Sequence, residues 1–121
     1  MHEGYSHKHF HNDICIVHLD EWARGEGIAT VRLPSRSQVK ETFAGRTATV
    51  SGWGGISNAE APINPELKYA DVTIRDNQIC SYIYPEAVAD ETRLCTYNPD
   101  GSGICHGDSG GPLTITESDT E

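Results

Sequence analysis

Gly103-Ile104-Cys105-His106-Gly107-Asp108-Ser109-Gly110-Gly111-Pro112-Leu113 is the stretch on which the fold of this chain turns. A serine stands between glycines, after an acid and before Gly-Gly-Pro. That pattern reads as a nucleophile on a tight turn, because glycines let backbone N–H groups converge where a side chain would block them. Convergent donors of this kind stabilise the oxyanion of an acyl-transfer intermediate. The plainer reading is a Gly-rich surface turn. It is set aside because segments elsewhere in the chain support the sharper one.

Three of those segments occur in a consistent order. Asn12-Asp13-Ile14 leads into Cys15-Ile16-Val17-His18-Leu19, an apolar run bounded by Asp13 and Asp20. Thr49-Val50-Ser51-Gly52-Trp53-Gly54 ends a β-type run on a Gly-Trp-Gly turn. Cys80 and Cys95 flank a short loop. Together with Cys-x-Gly-Asp-Ser-Gly-Gly-Pro-Leu, these segments resemble the chymotrypsin/trypsin-like serine proteases from about His2 to Thr116. Leu33-Pro34-Ser35-Arg36-Ser37-Gln38 is similar to arthropod digestive members of the chymotrypsin-like branch.

The resemblance implies an all-β chain, a partial trypsin-like double β-barrel. On that pattern residues 1–27 end the first barrel and 28–46 link the barrels. Residues 47–116 form most of the second barrel, and 117–121 are a disordered tail. The family needs nearly twice 121 residues, so the chain is expected to be a part of such a domain. No segment resembles the one that carries the family's catalytic histidine.

By the same resemblance Ser109 is the nucleophile and Asp13 the acid that orients the histidine. Gly107 and Ser109 supply the oxyanion-hole N–H groups, and a β-carbon at position 107 would crowd that approach. Asp108 takes the place of the acid that pairs with the new α-amino group after activation cleavage. With no such amine evident, Asp108 is expected to point elsewhere and its turn to be disordered or solvated, since a buried unpaired carboxylate is costly. Gly103, six residues before Ser109, falls at the base of the specificity pocket. Glycine there implies cleavage after aromatic, large apolar or small residues rather than after Arg or Lys. Cys80 and Cys95 are implied to form a disulfide. Cys105 is implied to be half of another pair, with a Cys15–Cys105 bond as the alternative. Cys15 itself, in an apolar run, reads as a buried small hydrophobe.

Composition bounds the rest. The chain carries a net charge of −9, with 9 basic against 18 acidic residues. Most of the excess lies in residues 61–121, which hold 3 basic and 11 acidic residues. An acidic surface argues against nucleic acid, whose phosphates need clustered Lys and Arg. No apolar run reaches the length of a membrane span. Met1 is followed by His2, Glu3, Gly4 and Tyr5 rather than by the apolar core of a secretory leader. The family is secreted, so a missing leader also suggests a partial chain. The expected partners are a protein or peptide substrate and protease inhibitors, with no cofactor and no metal.

The remaining histidines are weighed individually. His7, His9 and His11 alternate, which on a strand puts three imidazoles on one face, a spacing that can bind zinc or copper. The reading adopted is a polar, exposed hairpin segment. His106 reads as a surface residue and His18 as a barrel-edge one. Strands are expected at Ile14–Leu19, Ala48–Trp53, Leu67–Ile74, Thr92–Tyr97 and Pro112–Thr116. Residues 28–40 are expected to run as an extended linker and 54–65 as a mobile loop. A short helix is expected over Arg75–Tyr84, with Asp76 as its N-cap. The functional expectation is a serine endopeptidase portion that lacks its histidine and is inactive alone. The alternative is a non-catalytic truncated homologue, acting as a binding module or arising as a defective gene product.

Overall fold

The structure, a computed structural model, describes residues 1–56, 64–83 and 92–117. It divides into two units, Met1–Glu41 and Thr42–Glu121. Part of the 54–65 loop and residues 118–121 of the tail lie outside the described residues.

In the first unit the chain is held by local hydrogen bonds. The His2 N–H donates to the Ile14 carbonyl at 3.0 Å, and the Ser6 N–H to the His11 carbonyl at 3.0 Å. The Asn12 side-chain amide donates to the Gly4 carbonyl at 2.9 Å. Ser35 opens a short 3-10 turn at Arg36–Gln38, where its N–H donates to the Gln38 Oε1 at 2.8 Å. The expected strand at Ile14–Leu19 does not form: the segment pairs in no ladder. Ile16 is 78% exposed and Trp22 83% exposed. An apolar run becomes a strand only when a neighbouring strand meets its backbone groups, and this unit contains only the isolated Ser6–His11 bridge among its described residues. Cys15 is exposed for the same reason, contrary to its reading as a buried hydrophobe. The side chain of His18 is exposed as well.

The second unit is built on antiparallel β-structure. Strands β1 (Thr47–Gly52), β2 (Lys68–Arg75), β3 (Cys95–Tyr97) and β4 (Leu113–Thr114) form a four-stranded sheet in the order β3-β2-β1-β4. The register pairs Ala48 with Val72 and Val50 with Ala70. Successive side chains of a strand point to opposite faces. Ala48 and Val50 therefore share a face with Val72 and Ile74, and these four make the buried cluster. Phe43, Ala70 and Ile115 pack against it. The other face is polar, where the Thr49 hydroxyl donates to the Asp71 carboxylate at 2.8 Å across a direct pair.

Helix α1 (Asn77–Ile83) follows β2. Asp76 caps it as expected: its carboxylate accepts the Gln78 N–H at 2.8 Å, meeting one of the donors a helix start leaves unpaired. The Asn77 side chain donates to the Arg93 carbonyl at 2.8 Å, tying the helix start to the approach to β3. The Cys80–Cys95 disulfide joins α1 to β3. Strands β3 and β4 are shorter than the sequence suggests. The run from Thr92 pairs only from Cys95 onward, and the run from Pro112 pairs only at Leu113 and Thr114. Proline has no N–H to give a ladder, which accounts for the late start of β4.

Candidate active-site turn

Two consecutive turns present Ser109. The Asp108 N–H donates to the Cys105 carbonyl at 3.1 Å, and the Gly111 N–H to the Asp108 carbonyl at 2.8 Å. The second turn places Ser109 and Gly110 at its centre. Gly110 has φ +84°, the positive value that the third position of a type II turn requires. Gly107 has φ +98°, so it too adopts a conformation that side chains disfavour. A β-carbon on Gly111 would lie 2.8 Å from the Asp108 carbonyl oxygen and 3.1 Å from that of Ser51. The glycines around the serine thus answer to turn geometry and to close approach of β1. Ser109 itself is exposed.

The Asp108 carboxylate anchors these turns. Its Oδ1 accepts the Gly54 N–H at 2.8 Å, and its Oδ2 accepts the Cys105 N–H at 2.9 Å. The Gly55 N–H donates to the His106 carbonyl at 2.9 Å, a second tie between the end of β1 and this segment. The expectation of a disordered or solvated turn is therefore corrected. Backbone donors take the place of an ionic partner, and a half-buried carboxylate with two such bonds carries a modest desolvation cost. The role of Gly52 and Gly54 in this contact is absent from the motif reading. The only sequence signal for it is a Gly-x-Gly at a strand end.

Gly103 enters from the other side. The Asn98–Ser102 segment before it folds on itself, with the Gly101 N–H donating to the Asn98 carbonyl at 3.1 Å. The Ser102 hydroxyl donates to the Asp100 carboxylate at 2.7 Å, and the Ser102 N–H does so at 2.9 Å. These bonds, the hydroxyl's first, hold the Asp100 carboxyl below its ordinary value of 3.8. Gly103 lines a groove of about 290 Å³ together with Gly52, Gly54, Lys68, Tyr69 and Asp108. Ser109 and Gly107 are not part of that lining.

Gly103, Gly107, Asp108 and Ser109 thus share one unit with the Cys80–Cys95 disulfide. Asp13 belongs to the other unit, where it is exposed and sits at the centre of a tight turn in which the Ile14 N–H donates to the Asn12 carbonyl at 2.8 Å. Cys15 and Cys105 are both thiols. The His7–His11 segment is a turn rather than a strand, so its imidazoles do not line one face. The His9 and His11 rings meet edge-on with centroids 5.9 Å apart. Among the described residues, no group of three or more His, Cys, Asp or Glu side chains is placed to hold a metal ion. Nor is any helix among them long and apolar enough to cross a membrane.

The sequence profile of the trypsin family matches residues 1–118. The chain belongs to the trypsin family. It is 34% identical to the collagenase of Hypoderma lineatum over 106 residues, covering 88% of this chain and 39% of that protein. It is 37% identical to human kallikrein-7, covering 93% and 43% respectively. It is 35% identical to the chymotrypsin of Phaedon cochleariae, covering 95% and 41%. The solved structure of HL collagenase superposes with a TM-score of 0.73 at 35% identity, covering 93% of this chain and 47% of that one. The chain therefore spans less than half the length of these relatives, and its fold is part of the trypsin-like β-barrel pair. The family is that of the chymotrypsin/trypsin-like serine proteases.

Proposed function

We propose that this chain carries the nucleophile and the acid of a secreted serine endopeptidase, and that its histidine comes from outside these 121 residues. Ser109 attacks the peptide carbonyl, the histidine takes and returns the proton, and Asp13 holds the histidine's tautomer. The Gly107 and Ser109 N–H groups stabilise the oxyanion. The observation that carries this reading is the placement of Ser109 at the exposed centre of a turn whose preceding residue is fixed by two backbone hydrogen bonds. A hydroxyl so presented needs a base to act.

Substrate is a protein or peptide, and inhibitors of such proteases are the other natural partners. Gly103 leaves the base of the specificity pocket without a charge, which favours aromatic, large apolar or small side chains over Arg and Lys.

The chain alone is inactive on this reading. A serine hydroxyl stays protonated at neutral pH unless a base is adjacent. The test is to express residues 1–121 and measure peptide turnover and organophosphorus labelling of Ser109. No turnover at an enzymatic rate is expected. Rapid turnover and labelling, both abolished by Ser109→Ala, would overturn the requirement for an outside histidine and return His106, or one of His7, His9 and His11, to consideration as the base.

A further inference from the structure

A Gly-x-Gly at the end of β1 has no role in the motif reading, yet both of its glycines face the same carboxylate. A β-carbon built on Gly54 lies 2.5 Å from Asp108 Cγ and 2.6 Å from each carboxylate oxygen. One built on Gly52 collides with Asp108 Oδ1. A methyl group on either glycine could be admitted only by displacing the carboxylate, which is held by one hydrogen bond at each oxygen. Oδ1 is fixed by the Gly54 N–H and Oδ2 by the Cys105 N–H. Trp53, between the two glycines, is exposed and takes no part.

We propose that Gly52 and Gly54 are positioning residues for Ser109, acting through Asp108. Together they form a side-chain-free seat at the strand end, closed by one N–H donor, into which the carboxylate lowers. Asp108 is both the occupant of the seat and the first residue of the Ser109 turn, since its carbonyl accepts the Gly111 N–H. Filling the seat therefore expels the carboxylate and releases the two hydrogen bonds that anchor the turn. The neighbouring bond from the Gly55 N–H to the His106 carbonyl would shift with it. The inference rests on Ser109 being the working residue of the site. A displacement of about 1 Å at a reacting group is enough to cost roughly 10²-fold in rate.

The experiment reads the turn without turnover, so that failure of the seat and failure of the nucleophile assignment are told apart. Ser109→Cys places a thiol on the turn, and peptide-resolved alkylation by iodoacetamide reports its pH profile separately from Cys15 and Cys105. N–H groups aimed at residue 109, as the proposed oxyanion hole supplies, would lower a thiol's midpoint by stabilising its anion. Adding Gly54→Ala is expected to raise the midpoint by about one unit and slow alkylation about tenfold at neutral pH. In an Asp108→Ala background the same change is expected to have little further effect, because coupled sites are non-additive. An unchanged profile on Gly54→Ala, or an equal change with and without the Asp108 carboxylate, overturns the proposal. A direct check on the unmutated chain covers the case in which Gly54→Ala fails to fold. The Gly54 and Cys105 amide protons, both donated to the Asp108 carboxylate, should exchange slowly with solvent, and Asp108→Ala should speed both. Fast exchange of either amide with Asp108 in place would overturn the seat.

Discussion

Removing the Cys80–Cys95 disulfide is the perturbation whose size the structure sets most directly. The bond closes a loop of sequence separation 15 and joins α1 to β3. Closing a loop of about 15 residues restricts the unfolded chain by about 3 kcal/mol in the chain-entropy account. Cys95 is 4% exposed, so truncating it would add a packing loss. Cys80→Ala is the cleaner variant. Helix α1 has seven residues and none of them is buried, which leaves the cross-link as its main tether to the sheet. With a urea slope of about 1–3 kcal/mol/M, a loss of about 3 kcal/mol lowers the unfolding midpoint by about 1–3 M. The assay is urea unfolding of the oxidised chain and of Cys80→Ala, followed by far-ultraviolet circular dichroism. A midpoint unchanged by the substitution would refute the argument. So would a peptide map of the oxidised chain that joins Cys80 to Cys15 or Cys105.

Three further outcomes follow from particular residues. Ile74→Ala removes a side chain 1% exposed from the small β1–β2 cluster and should cost about 2–5 kcal/mol, read in the same urea assay. The Asp100 carboxyl is held below 3.8, so the Ser102 clasp is fully present above that pH and is lost as pH falls through the lowered folded value. The Ser102 amide resonance should follow that loss, and Ser102→Ala should return the Asp100 titration toward 3.8. Gly103 predicts that a protease containing this chain cleaves after aromatic, large apolar or small residues in a peptide library. Strong cleavage after Arg would show that an acid elsewhere sets the pocket's charge.

The legible parts of this molecule are those written in local chemistry. Alternation of Ala48, Val50, Val72 and Ile74 marks β1 and β2 because burial of one sheet face imposes a period of two. Asp76 announces the start of α1 because a carboxylate there meets unpaired N–H groups. The turn at Ser109 is legible because φ above zero at Gly107 and Gly110 demands glycine. What failed depended on partners distant in sequence. Ile14–Leu19 has the composition of a strand, but composition cannot supply the neighbouring ladder, and the segment is unpaired in any ladder and exposed. Cys15 is exposed with it. The anchoring of Asp108 is not legible in the sequence because its hydrogen-bond donor on Gly54 lies 54 residues away, where no local pattern points to a carboxylate.

The central claim is that Ser109 is the nucleophile and waits on a histidine from outside the chain. The most direct measurement co-folds residues 1–121 with a segment of a trypsin-family protease that carries the catalytic histidine, and maps the site of fluorophosphonate labelling by mass spectrometry. The account predicts a label on Ser109 in the assembled complex, absent from the chain alone and absent after Ser109→Ala or Asp13→Ala. A label on another residue, or a Ser109 in the complex that reacts no faster than in the isolated chain, would contradict it.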